Sequence, residues 1–161
     1  MITIIPNYIT QQESDSVIEY LKTLFDEGKK GLNRSVLRFG LTRSYSSDKA
    51  SDTIPDTLKY LADKLIDDGY CSEIRHVTVN RYKPGQTIPF HIDNPEAGAR
   101  ITIISLASDA VLQFKDKKNK VDNYDVPARS LTQFSDEHRW NMQHSIMPVS
   151  KLRYSIVFRK H

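Results

Sequence analysis

Residues 78–93 read "TVNRYKPGQTIPFHID", and the His-x-Asp that closes them decides how the rest of the chain is understood. In extended backbone successive side chains alternate faces, so His91 and Asp93 project together while Ile92 turns the other way. Two metal-ligand side chains then share one face. The same alternation at the start of the stretch puts Asn80 and Tyr82 on a common face, an amide beside a phenol.

Working outward, 161 residues suit one domain with a single sizeable core. Hydrophobic residues make up 39% of the chain, and no uninterrupted apolar run is long enough to cross a bilayer. The opening "MITIIPNYIT" lacks the basic and apolar regions of a secretory signal. The lone Cys71 excludes an intramolecular disulfide and fits a reducing interior. A soluble, intracellular monomer without a membrane partner is the expectation. The net charge of +3 is unevenly spread. Lys29, Lys30, Arg34, Arg38, Arg43 and Lys49 face only Asp48 between residues 29 and 49, and the remainder of the chain is net negative. Such a segment is either a solvated loop or a phosphate-facing surface.

After a short strand-like opening, "TQQESDSVIEYLKTLF" combines a Thr10-x-x-Glu13 capping box with apolar residues at Val17, Ile18, Leu21 and Phe25, which predicts a helix. Residues 29 to 54 hold no sustained helical period and read as irregular loops or short hairpins. "IPDTLKYLADKLIDDGY" places Pro55 at a helix start and Leu58, Leu61, Ala62, Leu65 and Ile66 on one stripe. From His76 onward the texture is of short strands: "HVTVNRYK", "QTIPFHID", "RITIISLAS", "AVLQFKD", "RSLTQFS" and "LRYSIVFRK". "KDKKNK" reads as a polar hairpin tip. The expected fold class is α+β, a double-stranded β-helix (jelly roll) of six to eight strands with two N-terminal helices packed on one sheet. One domain spans the chain, with helices and a lid over about residues 1–70 and the jelly-roll core over about 71–161.

In "RYSIVFR", Arg153, Ser155, Val157 and Arg159 face one way and Tyr154, Ile156 and Phe158 the other. The second face is core. Arginines on an inward face need a carboxylate partner or a bound anion, and a dicarboxylate satisfies two at once. A third ligand beside His91 and Asp93 has to come from farther along. His144, just before the arginine strand, is the leading candidate, with His138 as its rival. Two histidines and a carboxylate form the facial triad of non-haem Fe(II) oxygenases, and a zinc hydrolase uses the same types. The arginines favour the oxygenase, because a hydrolase needs no dicarboxylate pocket.

"NRYKPGQTIPFHID", "RSLTQFSDEHRWNMQHSI" and "RYSIVFR" together resemble, in order, the signature regions of the AlkB-type Fe(II)/2-oxoglutarate dioxygenases. The resemblance covers roughly residues 38 to 160 and implies iron held by His91, Asp93 and His144. It implies that Arg153, helped by Tyr82, pairs with the distal carboxylate of 2-oxoglutarate, and that Arg159 and Asn80 lie near its metal-chelating end. Ser155 stands where many nucleic-acid-repairing members have asparagine, and His144-Ser145 replaces the usual His-Gly. "RFGLTRSYSS" resembles the family's nucleotide-recognition lid, which makes Arg38, Phe39, Gly40, Arg43, Tyr45 and Ser46 the substrate-side candidates.

The function so implied is oxidative dealkylation of N-alkylated nucleobases in DNA or RNA, presented single-stranded or as a flipped base, with Fe(II), 2-oxoglutarate and O₂. A 2-oxoglutarate oxygenase acting on a protein side chain or small molecule is one alternative. An inactive nucleic-acid-binding module is another.

Overall fold

The computed structural model describes residues 1–26, 31–40 and 49–160. Helix α1 (Gln11–Leu24) begins at the Thr10 capping box. Thr10 Oγ1 accepts from the Glu13 amide at 3.0 Å, and Glu13 Oε1 accepts from the Thr10 amide at 3.0 Å. These reciprocal bonds satisfy backbone donors that the first turn leaves without helical partners. Helix α2 (Asp56–Asp67) follows Pro55 and buries Leu58, Leu61, Ala62 and Leu65 on one stripe. No helix among the described residues is long and apolar enough to cross a membrane.

The strands are β1 (Ile2–Ile5), β2 (Ser35–Gly40), β3 (Lys49–Ser51), β4 (His76–Tyr82), β5 (Ile88–His91), β6 (Arg100–Leu106), β7 (Ala110–Lys115), β8 (Val121–Val126), β9 (Leu131–Ser135), β10 (Gln143–Ile146) and β11 (Arg153–Arg159). A short helix, α3 (Asp136–Trp140), joins β9 to β10. The major sheet runs β1-β9-β6-β11-β4-β2-β3 and the minor sheet β5-β10-β7-β8. All pairings are antiparallel except β2 with β3. This is the two-sheeted, largely antiparallel arrangement of a jelly roll.

Strand β11 lies between β4 and β6, and its alternation divides the interior in two. Tyr154, Ile156 and Phe158 join Val77, Val79, Ile104 and the buried faces of both N-terminal helices in one apolar cluster. On the other side Val157 joins Ile101, Leu112, Phe114, Phe134 and Ile146, which come from both sheets. Register carries this division across the sheet: Arg153, Ser155 and Val157 stand opposite Tyr82, Asn80 and Thr78. A one-residue slip would move every arginine to the helix side.

The eleven strands among the described residues exceed the six to eight expected, β3 among them, and several elements depart from the sequence reading. The region expected to be irregular contains β2, whose inward positions Arg38 and neighbouring Arg34 interrupt the apolar alternation that marks a strand. Strand β8, "VDNYDV", pairs only with β7 at a sheet edge and is polar enough to read as loop. Helix α3 is too short to show a period. Between β7 and β8 the chain does turn as a hairpin, with Asp116 Oδ1 accepting from the amides of Lys118 and Lys120 at 2.8 and 2.9 Å.

Gly40, at the end of β2, has φ +97°, and a Cβ added there would lie 2.1 Å from the Arg75 carbonyl oxygen. Both the left-handed backbone and the close strand approach demand glycine. Gly40→Ala is expected to cost more than about 2 kcal/mol, in the upper range for single substitutions. Urea unfolding of the metal-free protein measures this, and an unchanged midpoint would refute the close approach.

Candidate active site

His91 ends β5 and stands directly opposite His144 of β10. Asp93 lies two residues beyond His91, past the strand end, yet its Oδ1 is 3.2 Å from His91 Nε2 and 3.8 Å from His144 Nε2. One ligand atom from each of the three lies within 4.8 Å of the others. The His91 Nδ1 is 2.7 Å from the Pro89 carbonyl oxygen. A carbonyl only accepts, so Nδ1 carries a proton and Nε2 is the ring nitrogen that faces Asp93. Burial pushes the His144 imidazole down to about 4, against the opposing pull of Asp93, so it is a neutral donor at pH 7. Burial alone would raise the Asp93 carboxyl. The hydrogen bond from His91, followed by the Arg159 and His144 contributions, outweighs it and holds the group well below the usual carboxylate range. Neutral imidazole and ionised carboxylate are the forms that bind a divalent transition metal.

The rival histidine stands elsewhere. His138 packs its ring edge-on to Phe114 at 4.8 Å, with Nδ1 3.2 Å from the N-terminal amine of Met1. Among the described residues His91, Asp93 and His144 form the one group whose ligand atoms converge in this way.

Beside the triad lies a cavity of about 200 Å³. Its apolar wall includes Ile88, Leu112 and Ile146 from the minor sheet and Ile101, Ile103 and Val157 from the major one. Arg153 is only 2% exposed, with Nη2 donating to Ser105 Oγ at 2.9 Å and its guanidinium over the Tyr82 ring at 5.1 Å. Among the described residues its Nε and Nη1 have no hydrogen-bond partner. Asn80 donates Nδ2 to Ser155 Oγ at 3.2 Å, and its Oδ1 is also without a partner. Arg159 donates Nη2 to Asp93 Oδ2 at 2.9 Å. The structure thus brings Asn80, Tyr82, Arg153, Ser155 and Arg159 to the wall that holds the triad. An orphaned buried guanidinium is costly, and a carboxylate ligand is the group that matches its planar donors.

Placement on the substrate side is mixed. Arg38 lines the cavity. Phe39 corrects the expectation of a stacking residue: alternation turns it to the helix side, where it is 5% exposed in the apolar cluster. Gly40 is likewise accounted for by its approach to Arg75 and not by a ligand. Arg43, Tyr45 and Ser46 lie outside the described residues. Two arginines were not singled out for the site from sequence. Arg34 also lines the cavity, and its four-residue spacing from Arg38, which puts both on one face of an extended segment, was the available signal. Arg139 is 1% exposed beneath the segment that carries Asp93. Nothing in its spacing separates it from a solvated cation at a helix end.

No family model matches the chain. It is 29% identical over 161 residues to the mouse (Mus musculus) tRNA (carboxymethyluridine(34)-5-O)-methyltransferase ALKBH8, covering 90% of this chain and 24% of that protein. The Macaca fascicularis protein of the same name is 28% identical over 159 residues, covering 89% and 24%. The Xenopus tropicalis protein is 38% identical over 73 residues, covering 45% and 12%. The chain therefore spans about a quarter or less of these curated relatives. Among solved structures, OsALKBH1 superposes with a TM-score of 0.69 at 14% identity, covering 99% of this chain and 96% of that one. A Trichoplax adhaerens prolyl hydroxylase in complex with a hypoxia inducible factor peptide gives 0.66 at 19%, covering 99% and 83%. A Pseudomonas putida prolyl-4-hydroxylase gives 0.65 at 13%, covering 99% and 92%. At such identities the structural matches establish the fold. Together with the sequence relatives, they show a chain similar to AlkB-like 2-oxoglutarate oxygenases.

Proposed function

We propose that the chain is an Fe(II)- and 2-oxoglutarate-dependent dioxygenase that oxidises alkyl groups on nucleobases of DNA or RNA. The observation that carries the reading is the buried guanidinium of Arg153, with two donors unpartnered, on the wall of the cavity that holds the His-Asp-His group. His91, Asp93 and His144 would hold the iron. Arg153 and Tyr82 would take the distal carboxylate of the cosubstrate, with Asn80, Ser155 and Arg159 toward its other end. When bound, iron with O₂ and 2-oxoglutarate supplies the power to hydroxylate an unactivated C–H bond, the cosubstrate leaving as succinate and CO₂.

The chain's own residues bind, orient and exclude water. Arg153 fixes the cosubstrate through a planar fork that lysine cannot reproduce. Arg159 keeps Asp93 ionised and turned toward the histidines, while the isoleucine, leucine and valine wall keeps the reacting carbon dry. Hydroxylation of an N-linked alkyl carbon gives a hemiaminal that releases the aldehyde, which is dealkylation. A C-linked carbon retains its hydroxyl. A nucleic-acid substrate is supported by the curated relatives, whose name gives tRNA and carboxymethyluridine. The prolyl hydroxylase neighbours support a second reading, hydroxylation of a protein side chain.

Charge narrows the base. The described cavity lining includes Arg34, Arg38, Arg153 and Arg159 and the carboxylate of Asp93. Bound Fe(II) and a dicarboxylate cancel each other, so this lining disfavours bases made cationic by N-alkylation and favours neutral or anionic ones.

The test is succinate formation from 2-oxoglutarate with Fe(II), expected in the wild type and abolished in His144→Ala. Arg153→Lys is expected to weaken 2-oxoglutarate binding, followed by calorimetry with Mn(II), by about 1.5–3 kcal/mol, the range for a hydrogen bond to a charged group. Unchanged affinity would remove the cosubstrate assignment. In otherwise identical single-stranded RNA, a carboxymethyl-substituted uridine is expected to outcompete 1-methyladenine for binding, and Arg34→Ala with Arg38→Ala to erase the preference. Tighter binding of the cationic base by the wild type would sink the charge argument.

A further inference from the structure

Asp93 is held at two ends by two different arginines. Its carboxylate is engaged by Arg159, as described. Its backbone is engaged by Arg139, whose Nη1 donates to the Asp93 carbonyl at 3.1 Å, Nη2 to the Asn94 carbonyl at 2.7 Å and Nε to the Gly98 carbonyl at 2.8 Å. Between those carbonyls the chain makes a 3-10 turn over Pro95–Ala97, closed by Asn94 Oδ1 accepting from the Glu96 amide at 2.9 Å. One guanidinium therefore spans the whole segment from Asp93 to Gly98. Arg139 is 1% exposed, and Trp140 covers it, with the guanidinium 4.2 Å from the indole centroid.

The location of Arg139 matters as much as its contacts. It sits in α3, five residues before His144 and in the connection that delivers β10 to its place opposite β5. Asp93 lies beyond the end of β5, where sheet pairing no longer fixes the backbone. A ligand on unpaired backbone would wander by more than a metal tolerates, because coordination distances are fixed to within about 0.2 Å. Arg139 supplies the missing restraint and ties the Asp93 segment to the element that leads into His144.

We propose that Arg139 is a positioning residue for the metal centre: by holding the 93–98 backbone against α3 it sets where Asp93 Oδ1 stands relative to His91 and His144. This rests on the reading of the triad as a metal site. Arg139 touches neither metal nor substrate, and outer-shell partners of metal ligands commonly change affinity by about 10–100-fold when removed. Lysine keeps the charge yet offers one ammonium in place of a fork, so it replaces part of the clamp.

The experiment uses the full chain with Co(II) as the probe, read by its visible absorption and by competition with a chelator of known affinity. Arg139→Gln is expected to weaken Co(II) binding about 10–100-fold, to change the position and intensity of its d–d bands, and to speed amide exchange over 93–98 in the metal-free protein. Arg139→Lys should recover part of all three. Leu61→Ala, which is buried in the cluster under the helices and far from the triad in the fold, controls for lost stability. It should lower the urea midpoint yet leave Co(II) affinity and spectrum as in the wild type. Wild-type spectra and affinity in Arg139→Gln would overturn the proposal, as would equal losses of affinity in Leu61→Ala. A wild type that binds no Co(II) would overturn the metal-site reading beneath it, whatever amide exchange reports of the clamp.

Discussion

A strand buried on both faces must satisfy two different surroundings at once, and β11 is where this chain meets that demand. Six of its seven residues are buried. Tyr154, Ile156 and Phe158 meet the helices, while Arg153, Ser155, Val157 and Arg159 meet the cavity. Helix packing on one side holds the strand in the middle of the sheet, and alternation aims two guanidiniums at one space. The apolar side supplies the driving force, at roughly 25 cal/mol per Å² of buried apolar surface. The polar side contributes cost. Taking a guanidinium out of water is unfavourable by several kcal/mol after relaxation, so the helices and their cluster stabilise a sheet whose inner face is not optimised for folding.

That cost explains the arrangement of charge around the triad. Arg159 is paired with Asp93, and the pair holds the carboxylate ionised despite burial. His144 answers the same burial by staying neutral. Among the described residues Arg153 has a serine hydroxyl and the Tyr82 side chain, and no carboxylate. The ionisable groups in this small volume meet desolvation in three ways: by ion pairing, by remaining uncharged, and, in Arg153, with donors left without a partner among the described residues. The third is the one that folding alone does not account for, which is why Arg153 carries more functional information than the triad itself.

The parts legible in sequence were those governed by period two or by a named cap. Alternation was enough to put Asn80 and Tyr82 on one face and Arg153 and Arg159 on another, and Thr10 and Glu13 marked the start of α1, whereas Asp93 meets His91 from beyond the end of β5. The less legible parts are those where the pattern is broken by what the residues do. Inward arginines hid β2, since an inward position is normally recognised by being apolar. Polarity at a sheet edge hid β8. Phe39 was misplaced because aromatic character suggested stacking, whereas the face it occupies is set by register with Val77. Arg139 was invisible because its three acceptors are backbone carbonyls, and a carbonyl has no signature in sequence.

The two sheets contribute unlike things to the centre. His91 and His144 come from paired strands of the minor sheet, the arginines come from the major sheet, and Asp93 lies on the connection that leads from β5 to β6 and so from one sheet to the other. No single hairpin contains His91, Asp93 and His144 together with the arginines. The β5–β10 pair brings the histidines within 4.2 Å, centroid to centroid, but the carboxylate joins them only when β6 and β11 are in place and Arg159 can reach it. The convergence of the three side chains therefore draws on both sheets, and a metal held there would favour the closed sandwich. By linkage such a ligand stabilises the closed state by RT ln(1 + [L]/Kd), about 2.7 kcal/mol at a hundredfold excess over Kd. The seam between the sheets joins an apolar cluster to buried polar groups and a cavity, and the polar part is where that added stability counts most.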